Sequence, residues 1–477
     1  MKRFFAIFTV ILIILSLVGC GKQRRKIIEL TLTSEDSEAI LNAAGIRLPT
    51  VEETPAAGST IKWFAWYDDF HNYSEGQTVN TGYFTFHERY GCEIEYVETT
   101  WADSMTDLAA KILSSDSPDF YPCGSGIFPS GAIKGIFQPV DPYIDYDDML
   151  WSAMKDYTYD YFSLNGHPYF IVTDTSYGTV MCYNRRVIEE YGYEDPAELF
   201  YADQWTWDEF YEMCVDFSDP DSDRFALDGW YYPAGIIHSC GTSVVEYDPD
   251  QMEFVSNADA PELERANQLL YDLVKNNCSY LAYHQSWKQR NDTNGGGMKD
   301  GLLLFYISGD WAFTGEVDLI SPVFGDVAAN ELMFVPVPRD PNGDGNYYIE
   351  SSPVGYCIVK GAPNPEGVAL FAACERFKVV DPTVVNIDKK QKMEKYLWTD
   401  EMLNMWDSCY ALANANDTSL VIYGDGLTES VAEFYNNFES QGFIQDISSW
   451  AQLKESNSDG LQSALDELNK TISEFEG

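Results

Sequence analysis

The chain has 477 residues and a formal charge of −46 at neutral pH, from 76 acidic against 30 basic side chains. That excess repels phosphate backbones, so nucleic acid is not an expected partner. Hydrophobic residues make up 45% of the chain, ample for packed cores, which excludes disorder of the whole; the length allows two or three domains.

At the N-terminus Lys2 and Arg3 precede an apolar run from Phe4 to Val18. The run is too short to span a bilayer comfortably, so residues 1–19 read as a cleaved export signal. Leu17-Val18-Gly19-Cys20 resembles a bacterial lipobox, which implies that Cys20 becomes the first residue and carries a diacylglycerol. The expected location is the extracellular face of the cell membrane, or the periplasmic side where the host has an outer membrane. Lys22, Arg24, Arg25 and Lys26 would then lie beside anionic headgroups. Residues 20–57 read as a lipidated tether, with room for a short helix between Ser34 and Ala44.

Regular structure is predicted from Thr60. The β-branched and aromatic residues to Trp66 predict a strand, Phe84 to Tyr90 a helix end, and Cys92 to Thr99 a second strand. Between Asp103 and Leu113, Met105, Leu108, Ala109, Ile112 and Leu113 share one helical face. Strand, helix, strand in alternation is an α/β pattern. Thr206 and Glu209 have capping-box spacing. Glu262 to Val274 is amphipathic, Leu302 to Ile307 and Pro353 to Val359 read as buried strands, and Asn364 opens another helix. Near the C-terminus, Asp459 and Gln462 read as the start of a last helix, and Asn294 to Gly297 as a flexible turn. Of ten cysteines, Cys92, Cys182, Cys214, Cys357 and Cys374 stand in apolar contexts and read as buried free thiols.

Several segments, in order, carry a resemblance. They are Ser117-Pro118-Asp119 with Gly135 to Asp141, Met181-Cys182-Tyr183-Asn184 with Thr206 to Phe210, Ile307-Ser308-Gly309-Asp310-Trp311, and Val335 to Pro338 with Pro353 to Val359. Together the chain resembles the extracellular solute-binding proteins (family 1) of ABC sugar importers, the maltose-binding-protein-like lipoproteins. The resemblance implies an α/β, two-lobed, periplasmic-binding-protein-like (type II) fold with a ligand cleft between the lobes. Lobe 1 would comprise 58–180 plus about 355–425, and lobe 2 181–354 plus about 426–477. It also implies capture of a sugar or oligosaccharide, a membrane permease as partner, a monomeric state, no cofactor and no enzymatic activity.

Sugars offer hydroxyl rims and C–H faces, which aromatic plates and planar polar side chains grip. Placed on the family pattern, the expected ligand contacts are Trp66, Tyr67, Asp68, Ser125, Tyr177, Asp228, Trp230, Tyr231, Asp310 and Trp311. Trp63, Phe64 and Trp207 read as core instead. Where the maltose-binding pattern has an aromatic and charges, this chain has Cys123-Gly124-Ser125-Gly126, so a glycan other than maltose is expected.

Rival readings are a glycosidase, a calcium loop and a peptide or other solute as ligand. No His-Glu-x-x-His, Gly-x-Ser-x-Gly or Gly-x-Gly-x-x-Gly motif occurs, and no local motif isolates a carboxylate pair. Asp340, Asn342 and Asp344 have EF-hand-like spacing, but the twelfth position is Ser351, so a plain turn is the reading there, as it is for Asp219, Asp221 and Asp223.

Overall fold

In the computed structural model of the chain, the described residues are 32–71, 78–249, 251–285, 288–290 and 297–475. The export signal, Cys20 and the glycines at 295 and 296 lie outside them. Ten strands build two main sheets: β1 (Thr60–Ala65), β2 (Glu93–Glu98), β3 (Phe120–Pro122), β4 (Ile171–Tyr177), β5 (Val180–Asn184), β6 (Phe225–Asp228), β7 (Leu303–Ser308), β8 (Leu332–Val335), β9 (Ile349–Ile358) and β10 (Ser419–Leu420). The first sheet has the order β10-β9-β3-β1-β2, with β4 also paired to β9; the second has the order β8-β5-β7-β6. The architecture is therefore α/β with two lobes, one sheet in each.

Alternate residues of a strand face opposite sides, and the first sheet uses both sides for core. Trp63, Phe120, Ile171, Tyr356 and Ile358 meet Phe84 and Phe86 of helix Thr81–Tyr90 and Phe371 of helix Pro365–Val380. Their neighbours Phe64, Tyr121, Val172 and Cys357 face the other way, into a core continuous with that of the second sheet. Trp63 and Phe64 are thus both interior, and the Trp207 indole is buried and donates to Ser239 Oγ at 2.9 Å.

Helix Trp207–Phe217 forms as patterned, but the Thr206 hydroxyl makes no cap. The chain is held there by backbone, with Trp207 N–H donating to Arg339 O at 2.9 Å. Leu113, expected on the apolar face, is instead 87% exposed: helix Ser104–Leu113 ends at it, so no neighbour covers it. The last helix starts earlier than Asp459. It runs Trp450–Ser473 from a capping box of Ser449 and Gln452, passing through Gly460 because the Phe434 ring packs against that glycine's bare face.

The described part of the expected tether, 32–57, lies folded on the first lobe. Ile40, Leu48 and Ala56 are buried there. The Gly45 and Ile46 N–H groups donate to Asp381 Oδ2, and the Tyr90 hydroxyl donates to Pro49 O at 2.7 Å. At the other end of the chain, Trp450 Nε1 donates to Ala258 O and Asn469 brackets the backbone of Phe254, fastening the last helix to the second lobe.

Three connections join the lobes, the third where the chain leaves β10 of the first sheet for the last helix on the second lobe. β4 of the first sheet becomes β5 of the second across Gly178 and Thr179 alone, and the chain returns between β8 and β9. Helix Asp400–Asn414 lies along this junction, against β4 and β9 on one side and β8 on the other. Within β9 the pairing with β4 slips between Val354 and Gly355. Gly355 has φ +153°, and a Cβ there would sit 2.0 Å from Ile171 O. Gly355→Ala is therefore expected to destabilise the fold by about 2 kcal/mol or more, read as a lowered urea midpoint with an unchanged slope.

Candidate functional site

Strand direction decides where a site can lie. β1, β2 and β3 are parallel, and β9 runs antiparallel to both β3 and β4, so β4 runs with the first three. In the second sheet β6 and β7 are parallel, while β5 is antiparallel to β7 and β8. A strand leaving the first sheet at Tyr177 and entering the second at Val180 therefore turns the carboxyl edges of both sheets toward each other. Such edges are where α/β sheets place their ligands.

On the first edge, Trp66 follows β1. Its ring is half-buried and meets Trp101 at 4.5 Å and 85°, and Tyr67 at 5.1 Å and 74°. Trp101 follows β2 and is 70% exposed. The sequence reading passed over it, although an indole between a strand end and a helix start was the signal available. Tyr67 is half-buried; its carbonyl accepts from Trp63 Nε1 at 3.2 Å, and burial pushes its hydroxyl well above the usual range. Ser125 follows β3 and opens the turn Ser125–Ile127, which packs against Gly426.

On the second edge, Trp230 and Tyr231 follow β6 and are 45% and 41% exposed; Trp311 follows β7 and is 58% exposed. Tyr231 and Trp311 stand edge to face at 6.4 Å and 76°. Gly229 makes this possible: at φ +129° its backbone presses on β7, and a Cβ would lie 2.1 Å from Ile307 O.

Four expected ligand contacts, Asp228, Asp68, Tyr177 and Asp310, have structural partners. Asp228 is fully buried, accepting from the N–H of Gly229 at 2.8 Å and of Arg290 at 2.7 Å, so it shapes the turn that carries Trp230. Asp68 accepts from the N–H groups of Phe70 and His71 and from His71 Nδ1 at 2.9 Å. Burial opposes its charge, yet the His71 ring and those N–H groups hold the carboxyl below its ordinary range. Tyr177 is 3% exposed and donates across the junction to Asp310 Oδ2 at 2.9 Å, which ties Asp310 to the hinge as well.

Glu350 of β9 is the centre of the junction. Its carbonyl accepts from Gly178 N–H at 3.0 Å and its Oε2 from the Thr179 hydroxyl at 3.1 Å, while Oε1 lies 2.7 Å from Nδ1 of His238 in the second lobe. The other His238 nitrogen is 3.3 Å from Glu439 Oε1. Burial works against a charged ring, but Glu439 and Glu350 outweigh it and push His238 up to about 10.

The nine cysteines after Cys20 are unpaired, and all but Cys123 are buried. In the acidic turn, Asp340 accepts from Arg265 Nε at 2.7 Å and Asn342 N–H at 2.8 Å, and Asp344 accepts from the Tyr348 hydroxyl. Among the described residues no cluster of His, Cys, Asp and Glu is arranged for a metal ion, and no helix is long and apolar enough to cross a membrane.

A sequence profile of the bacterial extracellular solute-binding proteins matches residues 74–374. The chain belongs to that family. Among curated proteins no sequence matches. The fold is shared with solved structures at low identity. An ABC substrate-binding protein of Listeria monocytogenes in complex with cycloalternan has TM-score 0.59 at 16% identity, covering 87% of this chain and 99% of that one. The galacto-N-biose-/lacto-N-biose I-binding protein of Bifidobacterium longum, with lacto-N-biose, has TM-score 0.59 at 15%, covering 87% and 98%. The cyclic α-maltosyl-1,6-maltose binding protein of Arthrobacter globiformis has TM-score 0.60 at 15%, covering 86% and 99%.

For this solute-binding protein the His238 cluster makes a stability prediction. His238→Asn leaves the buried Glu439 and the partly buried Glu350 carboxylates facing no cation and should cost about 3 kcal/mol at pH 7. A histidine raised from 6.5 to about 10 stabilises fully below 6.5 and loses that contribution as pH climbs toward 10. The gap between wild type and variant in urea denaturation should therefore shrink across that window.

Proposed function

We propose that the chain captures a sugar or oligosaccharide between its lobes and hands it, chemically unaltered, to the membrane permease of an ABC importer. The observation that carries this reading is the pair of exposed aromatic corners, Trp66 with Trp101 on one edge and Tyr231 with Trp311 on the other, Trp230 beside the second. Two rings at nearly right angles offer one face for the C–H side of a pyranose and one edge for its rim. The structurally similar proteins named above hold glycans, which supports the same ligand class here. Closure follows from differential affinity: a ligand touching both corners stabilises the arrangement in which they approach, and the permease reads that population. No step needs an acid–base pair, and Asp68, Asp228 and Asp310, beside the corner residues in sequence, already accept from backbone N–H groups or from the Tyr177 hydroxyl.

A peptide ligand is the second reading, favoured by the charge of −46, which would attract a basic segment. Ligand-induced melting shifts against a glycan panel and a panel of basic peptides separate the two; shifts confined to peptides would sink the sugar reading. Trp311→Ala should weaken binding of the responding glycan about tenfold, the loss of about 1.4 kcal/mol of ring contact, with little change in melting temperature of the free protein. Unchanged affinity in calorimetry removes Trp311 from the site.

The protein acts, in this proposal, as a monomer on the outer face of the cell membrane, anchored by lipid on Cys20. One acyl chain holds weakly and two or more hold stably. Cys20→Ser should move the protein from the membrane fraction to the soluble one; unaltered fractionation would refute the anchor.

A further inference from the structure

Toward the amino ends of its strands, the first lobe carries a groove of about 600 Å³ that nothing above assigns. Helix Pro365–Val380 is its floor, residues 46–56 form one wall and residues 143–151 the other. The start of that helix is fixed at the amino edge of the sheet. Asn364 N–H donates to Asp119 Oδ1 at 2.7 Å, just before β3, and Asn364 Nδ2 donates to Ser59 Oγ at 2.8 Å, just before β1. The aromatic corners follow the opposite ends of these strands, so the groove is separate from them. Both walls are fastened: the Tyr90 hydroxyl donates to Pro49 O at 2.7 Å, and Arg376 Nε donates to Leu150 O at 3.1 Å. The family profile matches from residue 74 onward, so the wall at 46–56 is an addition to the matched pattern.

Floor and rim differ in character. Ala369 and Ala373 stand four apart on one face of the helix, and with Leu370 between them their small side chains leave room for another chain to come close. The apolar surface continues past the groove. Met149 on its lip is 66% exposed, and Val51, in the turn between the lining residues Pro49 and Glu53, is 45% exposed. The rim holds four carboxylates, Glu53, Asp145, Asp148 and Glu366, against one guanidinium, that of Arg47, which Glu53 takes at 2.7 Å. Among the described residues Asp145 and Asp148 accept only from backbone N–H groups of their own turns, and the Glu366 carboxylate has no partner. Such a rim repels an anionic lipid surface, and the apolar area beyond the groove is more than a small ion covers. An apolar floor inside an acidic rim is the complement of a segment with apolar side chains on one face and lysine or arginine on the other. The chain's own basic run, Lys22 to Lys26, is assigned above to the membrane surface, which leaves a partner as the source.

We propose that this groove is the docking site of a partner protein, which lays a basic amphipathic helix on Ala369, Leu370 and Ala373 and sets its Lys or Arg side chains on Glu366, Asp145 and Asp148. From Glu366 to Ala373 the floor runs for two helical turns, about 10 Å, and receives two turns of the guest. The inference goes beyond glycan capture at the corners and does not rest on it.

The test uses the full chain after signal removal and three fluorescein-labelled peptides of about four helical turns. One has lysine and leucine in amphipathic helical spacing, the second the same composition scrambled, and the third glutamate in place of lysine. Anisotropy is read at low and high salt for wild type, Ala369→Lys, Glu366→Gln combined with Asp148→Asn, and Trp311→Ala, each first checked for an unchanged melting temperature. The expected result is micromolar binding of the amphipathic basic peptide alone, weakened by salt, with hydrogen-exchange protection over 46–56 and 366–373. Ala369→Lys and the double variant should each weaken it about tenfold, and Trp311→Ala should leave it unchanged. The proposal is overturned if the scrambled peptide binds as well, if binding ignores both groove variants, or if Trp311→Ala abolishes it, which would seat the peptide at the corners. It is also overturned if the peptide binds only after residues 22–31 are deleted, or if Ala369→Lys dissolves a dimer seen in sedimentation; the occupant is then the chain's own basic run or a second copy. Groove variants at separate positions keep the test open should one of them misfold. Failure of the oligosaccharide panel with the peptide still in the groove would sink the corner reading alone, and the reverse would sink this one alone.

Discussion

Tyr177 and Val180 belong to different sheets although only Gly178 and Thr179 separate them. Everything functional depends on that short crossing. It leaves no slack for the second sheet to wander, and strand direction then obliges the two carboxyl edges to confront one another. Loops after β1, β2, β3, β6 and β7, distant in sequence, are brought to a common seam. A ligand site assembled this way needs no loop to be long, only each strand to end in the right residue.

The seam is held by polar contacts at its centre and kept apolar at its margins. Glu350, Thr179, His238 and Glu439 form a buried charged group, and Tyr177 reaches Asp310 beside it. Removing charges from water is costly, and mutual attraction at short range offsets that cost only while the partners stay in place. Such a cluster tolerates small rotations about the crossing strands but resists separation of the lobes. Farther out, where no partner is fixed, the indoles and phenols of Trp101, Trp230, Tyr231 and Trp311 stand in solvent. Large exposed rings grouped beside the junction mark a surface that something covers.

Not all of this was visible in the linear chain. The strand ends carrying Trp230 and Trp311 were legible because a short apolar run followed by glycine, aspartate and an aromatic breaks the strand and leaves the ring outside, and the one carrying Trp66 because its β-branched and aromatic run stops at Asp68 and Asp69. Trp101 was missed because β2 alternates and ends without glycine or proline, so its edge carried no marker. Asp68, Asp228 and Tyr177 looked like ligand contacts by position, yet each had a nearer partner, a backbone N–H or a carboxylate, that only folding supplied. The segment 32–57 lacks periodicity and reads as a tether; it packs because Asp381, far along the chain, offers its carboxylate to Gly45 and Ile46.

The sequence by itself determined the alternation of strand and helix, the two interior faces of the first sheet, the family and the rings at three strand ends, because these are set by spacing within a few residues. Tertiary structure alone decided which polar side chains are consumed by the hinge, that Trp101 partners Trp66, and that Arg47 and Ala369 line one groove. Those pairings join residues tens to hundreds of positions apart, and periodicity, a local quantity, carries no information across such distances.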